Sequence, residues 1–125
     1  MIQHQTKLKV SDNSGAKLVK CIRVLGGLKK QKAFIGDTIV VSVIKLRNKS
    51  KLLSKVKKGE VYQALVIRTK YSINKKSYKL FFNQNCVCLI NKQGKPISTR
   101  IIGPLPSKLK KNKHIKLVSL SAGFI

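Results

Sequence analysis

Residues 61–70 read VYQALVIRTK, with Ala64, Leu65, Val66 and Ile67 consecutive and apolar and with Arg68 and Lys70 at the far end. A strand with one wet face alternates apolar with polar, so an unbroken apolar run marks a segment covered on both faces. Periodicity alone leaves a buried helix open. The reading adopted is the central strand of a small β structure, started by Gly59 and Glu60 and leaving toward something negative. Its cationic end then asks what anion such a structure holds.

Outward from this run, four more strands are expected. TKLKV at 6–10 sets Thr6, Leu8 and Val10 on one face and Lys7 and Lys9 on the other, the period of a half-exposed strand. Ser11, Asp12, Asn13, Ser14 and Gly15 follow, where Asx side chains bond nearby backbone N–H groups and glycine supplies positive φ. LVKCIRVL at 18–25 ends in Gly26 and Gly27, which either let a phosphate approach the backbone or only bend the chain. Gly36 and Asp37 turn into TIVVSVIKL at 38–46. Residues 47–58 lack useful periodicity and carry mostly like charge, so a mobile loop is expected there in the free protein. Beyond the central strand, 71–79 reads as a polar ribbon around Asn74, Lys75 and Lys76, and CVCLI at 86–90 as the fifth strand. Ser107 is expected to cap a short cationic helix after proline-marked turns at 95–96 and 103–106. No internal repeat or linker divides the 125 residues, so one domain over 1–125 is expected, with a helical segment at about 105–120.

The acid inventory argues against catalysis. Asp12, Asp37 and Glu60 are the only carboxylates, each near a glycine, and side chains so placed order turns. No two are neighbours in sequence, so no general acid and base pair is evident. His4 and His114 read as solvated surface residues. Cys86 and Cys88 share a strand face, and Cys21 is expected across from them; with no fourth ligand and no CxxC knuckle they read as small core residues rather than a metal site. No metal or cofactor is expected. No run reaches the roughly 18 apolar residues that span a bilayer.

The cations remain. Lys and Arg number 28 against three acids, a net charge of +25. Self-repulsion on that scale disfavours the compact state unless a polyanion neutralises it. The candidate RNA-binding residues fall at strand ends and loops: Lys17 and Arg23; Lys29, Lys30 and Lys32; Arg47, Lys49, Lys51, Lys57 and Lys58; Arg68 and Lys70; Lys75 and Lys76; Arg100; Lys108, Lys110 and Lys111. Each phosphate neutralised by such a residue releases condensed counterions, giving salt-sensitive and largely sequence-independent affinity. Arg68 and Arg100 are the more pointed signals in a chain with only four arginines, since a guanidinium can grip a phosphate with two donors. Tyr71 and Tyr78, flanking Lys75 and Lys76, either stack on unpaired bases or pack within the ribbon.

Several blocks in fixed order make the chain similar to a known family. MIQ with Gln5 and Thr6, DNSGA at 12–16, CIRVLGG at 21–27, KVKKGE at 55–60, ALVIRTK at 64–70, NCVCLIN at 85–91 and TRIIGP at 99–104 resemble the universal large-subunit ribosomal protein of the fourteenth family. The resemblance covers nearly the whole chain. It implies an all-β protein, a closed five-stranded antiparallel barrel with a projecting ribbon and short helices near the carboxyl end. It also implies a non-catalytic constituent of the large ribosomal subunit. Members bind large-subunit rRNA, lie beside a ribosomal protein of the nineteenth family, and help bridge to small-subunit rRNA. A ribosomal silencing factor docks on the family's TR block and carboxyl-terminal segment, which carries over here to Thr99, Arg100, Lys116 and Ser119.

Three departures stand out. The 47–55 loop is longer than usual and lacks a proline, Lys76 and Ser77 replace an Asp-Gly turn, and Ala122, Gly123 and Phe124 replace an acidic Pro-Glu ending. With a composition rich in Lys, Asn and Ile, they point to an AT-rich organellar genome, mitochondrial ahead of plastid, with an AT-rich bacterium as the alternative. The rival functions are a free-standing single-stranded nucleic-acid chaperone built on a small barrel and an enzyme acting on RNA.

Overall fold

The computed structural model describes residues 1–47, 54–110 and 114–125. In chain order the strands are β1 (Lys7–Val10), β2 (Ala16–Val24), β3 (Thr38–Leu46), β4 (Val61–Arg68), β5 (Ile73–Asn74), β6 (Lys79–Leu80) and β7 (Cys86–Ile90). Strands β1, β2, β3, β4 and β7 close into a barrel in that order, and β5 pairs with β6 as a separate ribbon. The architecture is all-β, as expected.

Alternation within β4 explains why its sequence is apolar on both faces. Ala64 and Val66 join Leu8, Val19, Ile39, Val41, Val87 and Leu89 in the cluster that fills the barrel. Leu65 and Ile67 belong to a second cluster on the outer side, with Cys86, Cys88 and Ile90 beneath Ile101, Leu105, Leu109 and Leu117. The carboxyl-terminal segment therefore acts as a lid over the outside of β4 and β7. The strand stops at Arg68, two residues short of the expected Lys70.

One expectation about pairing needs correction. The β1–β2, β2–β3, β3–β4 and β4–β7 ladders are antiparallel, but β1 pairs with β7 in parallel, Lys9 with Cys86 and Val10 with Val87. Parity requires it: strand direction cannot alternate all the way round a ring of five, so at least one neighbouring pair must run the same way.

The turns use the carboxylates as fasteners. Asp12, fully buried, accepts from the Ser14 N–H at 3.1 Å and from the Leu89 N–H at 2.9 Å, tying the end of β1 to β7. Asp37 accepts from the Phe34 N–H at 2.8 Å and pairs with Lys30 at 2.9 Å. Glu60 accepts from the Tyr62 hydroxyl. Cys21 proves to lie in the barrel interior, whereas Cys86 and Cys88 are in the outer cluster, so the expected approach of Cys21 to the other two does not occur. Bulges in the β2–β3 register set which β2 side chains point inward, and these are invisible to simple alternation.

Near the carboxyl end, a 3-10 turn spans Ser107–Leu109 and a short helix, α1, spans Ile115–Val118. Ser107 is not a cap: Pro106 holds that position and makes no side-chain capping bond, while the Ser107 hydroxyl accepts from Lys75 Nζ at 2.6 Å. His114, expected at the solvated surface, is half-buried at the N-cap of α1. The mobile-loop expectation falls partly on 48–53, outside the described residues. Its flanks are anchored, with Val56 buried, Arg47 N–H bonded to Gly15 C=O at 2.9 Å and Lys55 N–H to Ser14 C=O at 2.9 Å.

Candidate nucleic-acid interface

The chain has three carboxylates, and each accepts the bonds described above, Asp12 from its own turn and from β7, Asp37 within its turn and Glu60 from the start of β4. The Lys30–Asp37 contact is the only ion pair among the described residues. Most of the other candidate cations among the described residues are exposed and have no carboxylate partner. Lys17 and Arg23 are exposed on β2, Lys29 and Lys32 on the loop after the glycines, and Lys57 and Lys58 ahead of β4. Lys70 and Lys76 are exposed around the ribbon, and Arg100, Lys108 and Lys110 on the carboxyl-terminal segment. Lys49, Lys51 and Lys111 lie outside the described residues.

Five of the candidates are partly engaged within the chain, Lys110 by lying 4.4 Å over the centre of the Phe124 ring. Lys30 is half-buried against Asp37, and Arg47 Nη2 donates to the Val10 carbonyl at 3.2 Å. Lys75 Nζ reaches Ser107 and lies 5.7 Å from the centre of the Tyr78 ring. Arg68 is the clearest case. Its Nη2 donates to the Ser11 hydroxyl and, at 2.9 Å, to the Ile102 carbonyl, and the guanidinium packs on Gly103. The cationic end of the central strand thus turns back into the fold as a cross-brace, and one nitrogen of the fork read from sequence as a phosphate grip holds the Ser11 hydroxyl and the Ile102 carbonyl.

Glycines 26 and 27 both have positive φ, and a Cβ at Gly27 would meet nothing within 4 Å. They bend the chain past an open cleft of about 400 Å³ whose lining includes Gln3, His4, Ile22, Arg23 and Lys30. Tyr71 and Tyr78 are each about half exposed, and Tyr71 and Phe34 form a T-shaped pair with centroids 5.6 Å apart.

A second arrangement forms around the TRIIGP block. Asn13 Oδ1 accepts from the Thr99 N–H at 3.0 Å and the Arg100 N–H at 3.2 Å, and Asn13 Nδ2 donates to Thr99 Oγ1 at 2.8 Å. The Ile101 N–H donates to the Leu120 carbonyl at 3.2 Å, which joins this block to the end of α1. Ser119 Oγ donates to the Lys116 carbonyl at 2.8 Å. Thr99, Arg100, Lys116 and Ser119, all exposed, are therefore carried by two segments that the fold fastens together.

Some cations escaped the sequence reading. The β1–β2 register places Lys7 directly opposite Lys20, and Lys45 lies opposite Leu18 on β3. Alternation marks Lys7 and Lys9 as outward-facing, but no local signal says which residue of β2 stands beside each. The family model described as Ribosomal protein L14p/L23e matches the chain over residues 1–125.

Proposed function

The chain belongs to the ribosomal protein L14p/L23e family, whose members are structural constituents of the large ribosomal subunit and not enzymes, and from that premise we propose that it binds large-subunit rRNA through its outward cations. All 125 residues act as one domain in this reading, with the segment at about 105–120 as its helical part. The observation that carries it is the charge balance: 28 cations, three acids, and all three acids already accepting bonds within the chain. Phosphate is the partner that such a surface lacks. Lys17, Arg23, Lys29, Lys32, Lys57, Lys58, Lys70 and Lys76 supply sequence-independent contacts, and the barrel fixes their positions. Lys49, Lys51 and Lys111 belong to the same set by sequence.

The Thr99, Arg100, Lys116 and Ser119 surface is the proposed meeting point with small-subunit rRNA at an intersubunit bridge, or with a ribosomal silencing factor. Two independent fastenings, to Asn13 and to Leu120, support this, because a docking surface needs fixed geometry. A neighbouring ribosomal protein of the nineteenth family is the expected protein contact. The ribosome concerned is proposed to be mitochondrial.

Sedimentation of organelle or cell lysate through a magnesium-containing gradient, at moderate and at high salt, tests the reading. Near-stoichiometric travel with the large subunit through the salt wash is expected, and the subunit's source identifies the compartment. Release at modest salt, or recovery near the top of the gradient, would overturn an integral role and favour the chaperone.

A further inference from the structure

Resting on the rRNA-binding reading above, we propose that the outer wall of the β1–β2 ladder is a track for an RNA sugar-phosphate backbone, with Lys7, Lys9 and Lys20 as its phosphate ligands. Lys7 and Lys20 are direct partners in an antiparallel ladder, so their side chains leave the same face side by side. Directly opposed Cβ atoms stand about 4.5–5.5 Å apart, and like charges in that position destabilise a sheet. The lysines cannot turn inward, because the opposite face of these strands carries Leu8, Val10, Val19 and Cys21 into the barrel core.

An isolated protein relieves such a pair with a carboxylate, and this chain has none left. Asp12 is bonded to Ser14 and Leu89, Asp37 to Phe34 and Lys30, and Glu60 to Tyr62. The stretches outside the described residues contain no acid. The last residue is tied by its backbone to Leu105 and Ser107. The chain therefore offers the pair no carboxylate, and an anion from another molecule would relieve it.

The shape of the cationic row selects the kind of anion. Lys9 stands opposite Leu18, and Lys7 opposite Lys20; β2 then continues through exposed Ile22 to exposed Arg23, at the open cleft of about 400 Å³. From Leu18 to Arg23 at about 3.3 Å per residue the row extends roughly 16 Å. A single phosphate would meet one pair of lysines and leave the rest uncompensated. A linear polyanion meets them all, and Ile22 within the row offers apolar contact to a sugar. This extends the contact from Lys17 and Arg23 across the barrel wall to β1.

The test uses the full chain, the variant Lys7→Gln/Lys20→Gln and the charge-keeping variant Lys7→Arg/Lys20→Arg. Affinity for a large-subunit rRNA transcript is measured between about 50 and 200 mM salt. Each phosphate ligand contributes about 0.7–0.9 to the slope of log K against log salt, so removing two is expected to lower it by about 1.4–1.8 in the glutamine variant. The arginine variant is expected to keep the slope, and the glutamine variant to melt at a higher temperature than the parent because the repulsion is gone. An unchanged slope in the glutamine variant, with the parent binding normally, overturns the track and leaves the family-level reading intact. A parent without salt-sensitive binding to the transcript overturns both. A glutamine variant that melts lower and binds less also overturns the track, since the lysines would then be supporting the fold.

Discussion

Gly103 has a φ of +87°, and a Cβ placed there would overlap the Arg68 guanidinium. Gly103→Ala is expected to cost about 1–3 kcal/mol from backbone strain, and more where Arg68 is pushed off Ser11 and Ile102. Urea unfolding of Gly103→Ala, Arg68→Ala and the double variant checks it: if the arginine is the obstacle, the double variant loses less than the two single costs combined. Cys88 gives a pH-dependent case. Burial, reinforced by the Asp12 carboxylate, pushes its thiol well above the ordinary 9.0. A group whose folded pKa is raised holds its proton more tightly in the fold, so its stabilisation is complete below the unfolded pKa and is lost as pH climbs beyond it. Stability should fall above about pH 9 by up to about 1.4 kcal/mol per pH unit for this one thiol. Cys21, raised by burial as well, acts with the same sign. Urea midpoints from pH 8 to 10 should decline less steeply in Cys88→Ala than in the parent.

The segment at 99–102 is held from two sides, by Asn13 in the turn after β1 and by Leu120 after α1. Arg100 thus stands on a fixed base while its own side chain is exposed. Arg100→Ala is expected to shift stability by less than about 0.5 kcal/mol, as surface changes away from special features do. It should at the same time weaken subunit joining or silencing-factor binding. Light scattering on mixing the subunits and a pull-down with the factor measure the two; no change in either would remove Arg100 from the surface. The same element scale shows what the sequence could disclose. The 38–46 and 86–90 strands were legible to the residue, because apolar patterning bounded by turn residues is a local property. The inward turn of Arg68 was not, since it depends on the distant Gly103 coming close enough to pack. The Lys7–Lys20 pairing was equally hidden, because register across a turn with bulged neighbours is decided by the assembled sheet.

For the whole molecule, a net charge of +25 means that folding brings many like charges together. Ligands that bind only the folded chain add stability by mass action, about 2.7 kcal/mol at a hundred times their Kd. Inorganic polyphosphate or rRNA should therefore raise the urea midpoint of the free protein, and added salt should reduce that gain; a midpoint indifferent to polyphosphate would show that the repulsion is already relieved within the chain. The closing seam of the barrel also has a consequence in time. Asp12, at the end of the first strand, finds its Leu89 partner 77 residues later. At synthesis rates of about 5–20 residues per second, roughly 4–15 s pass between the two leaving the ribosome. Throughout that interval the first strand has an unpaired edge, and the newborn chain is a sheet awaiting its last stave.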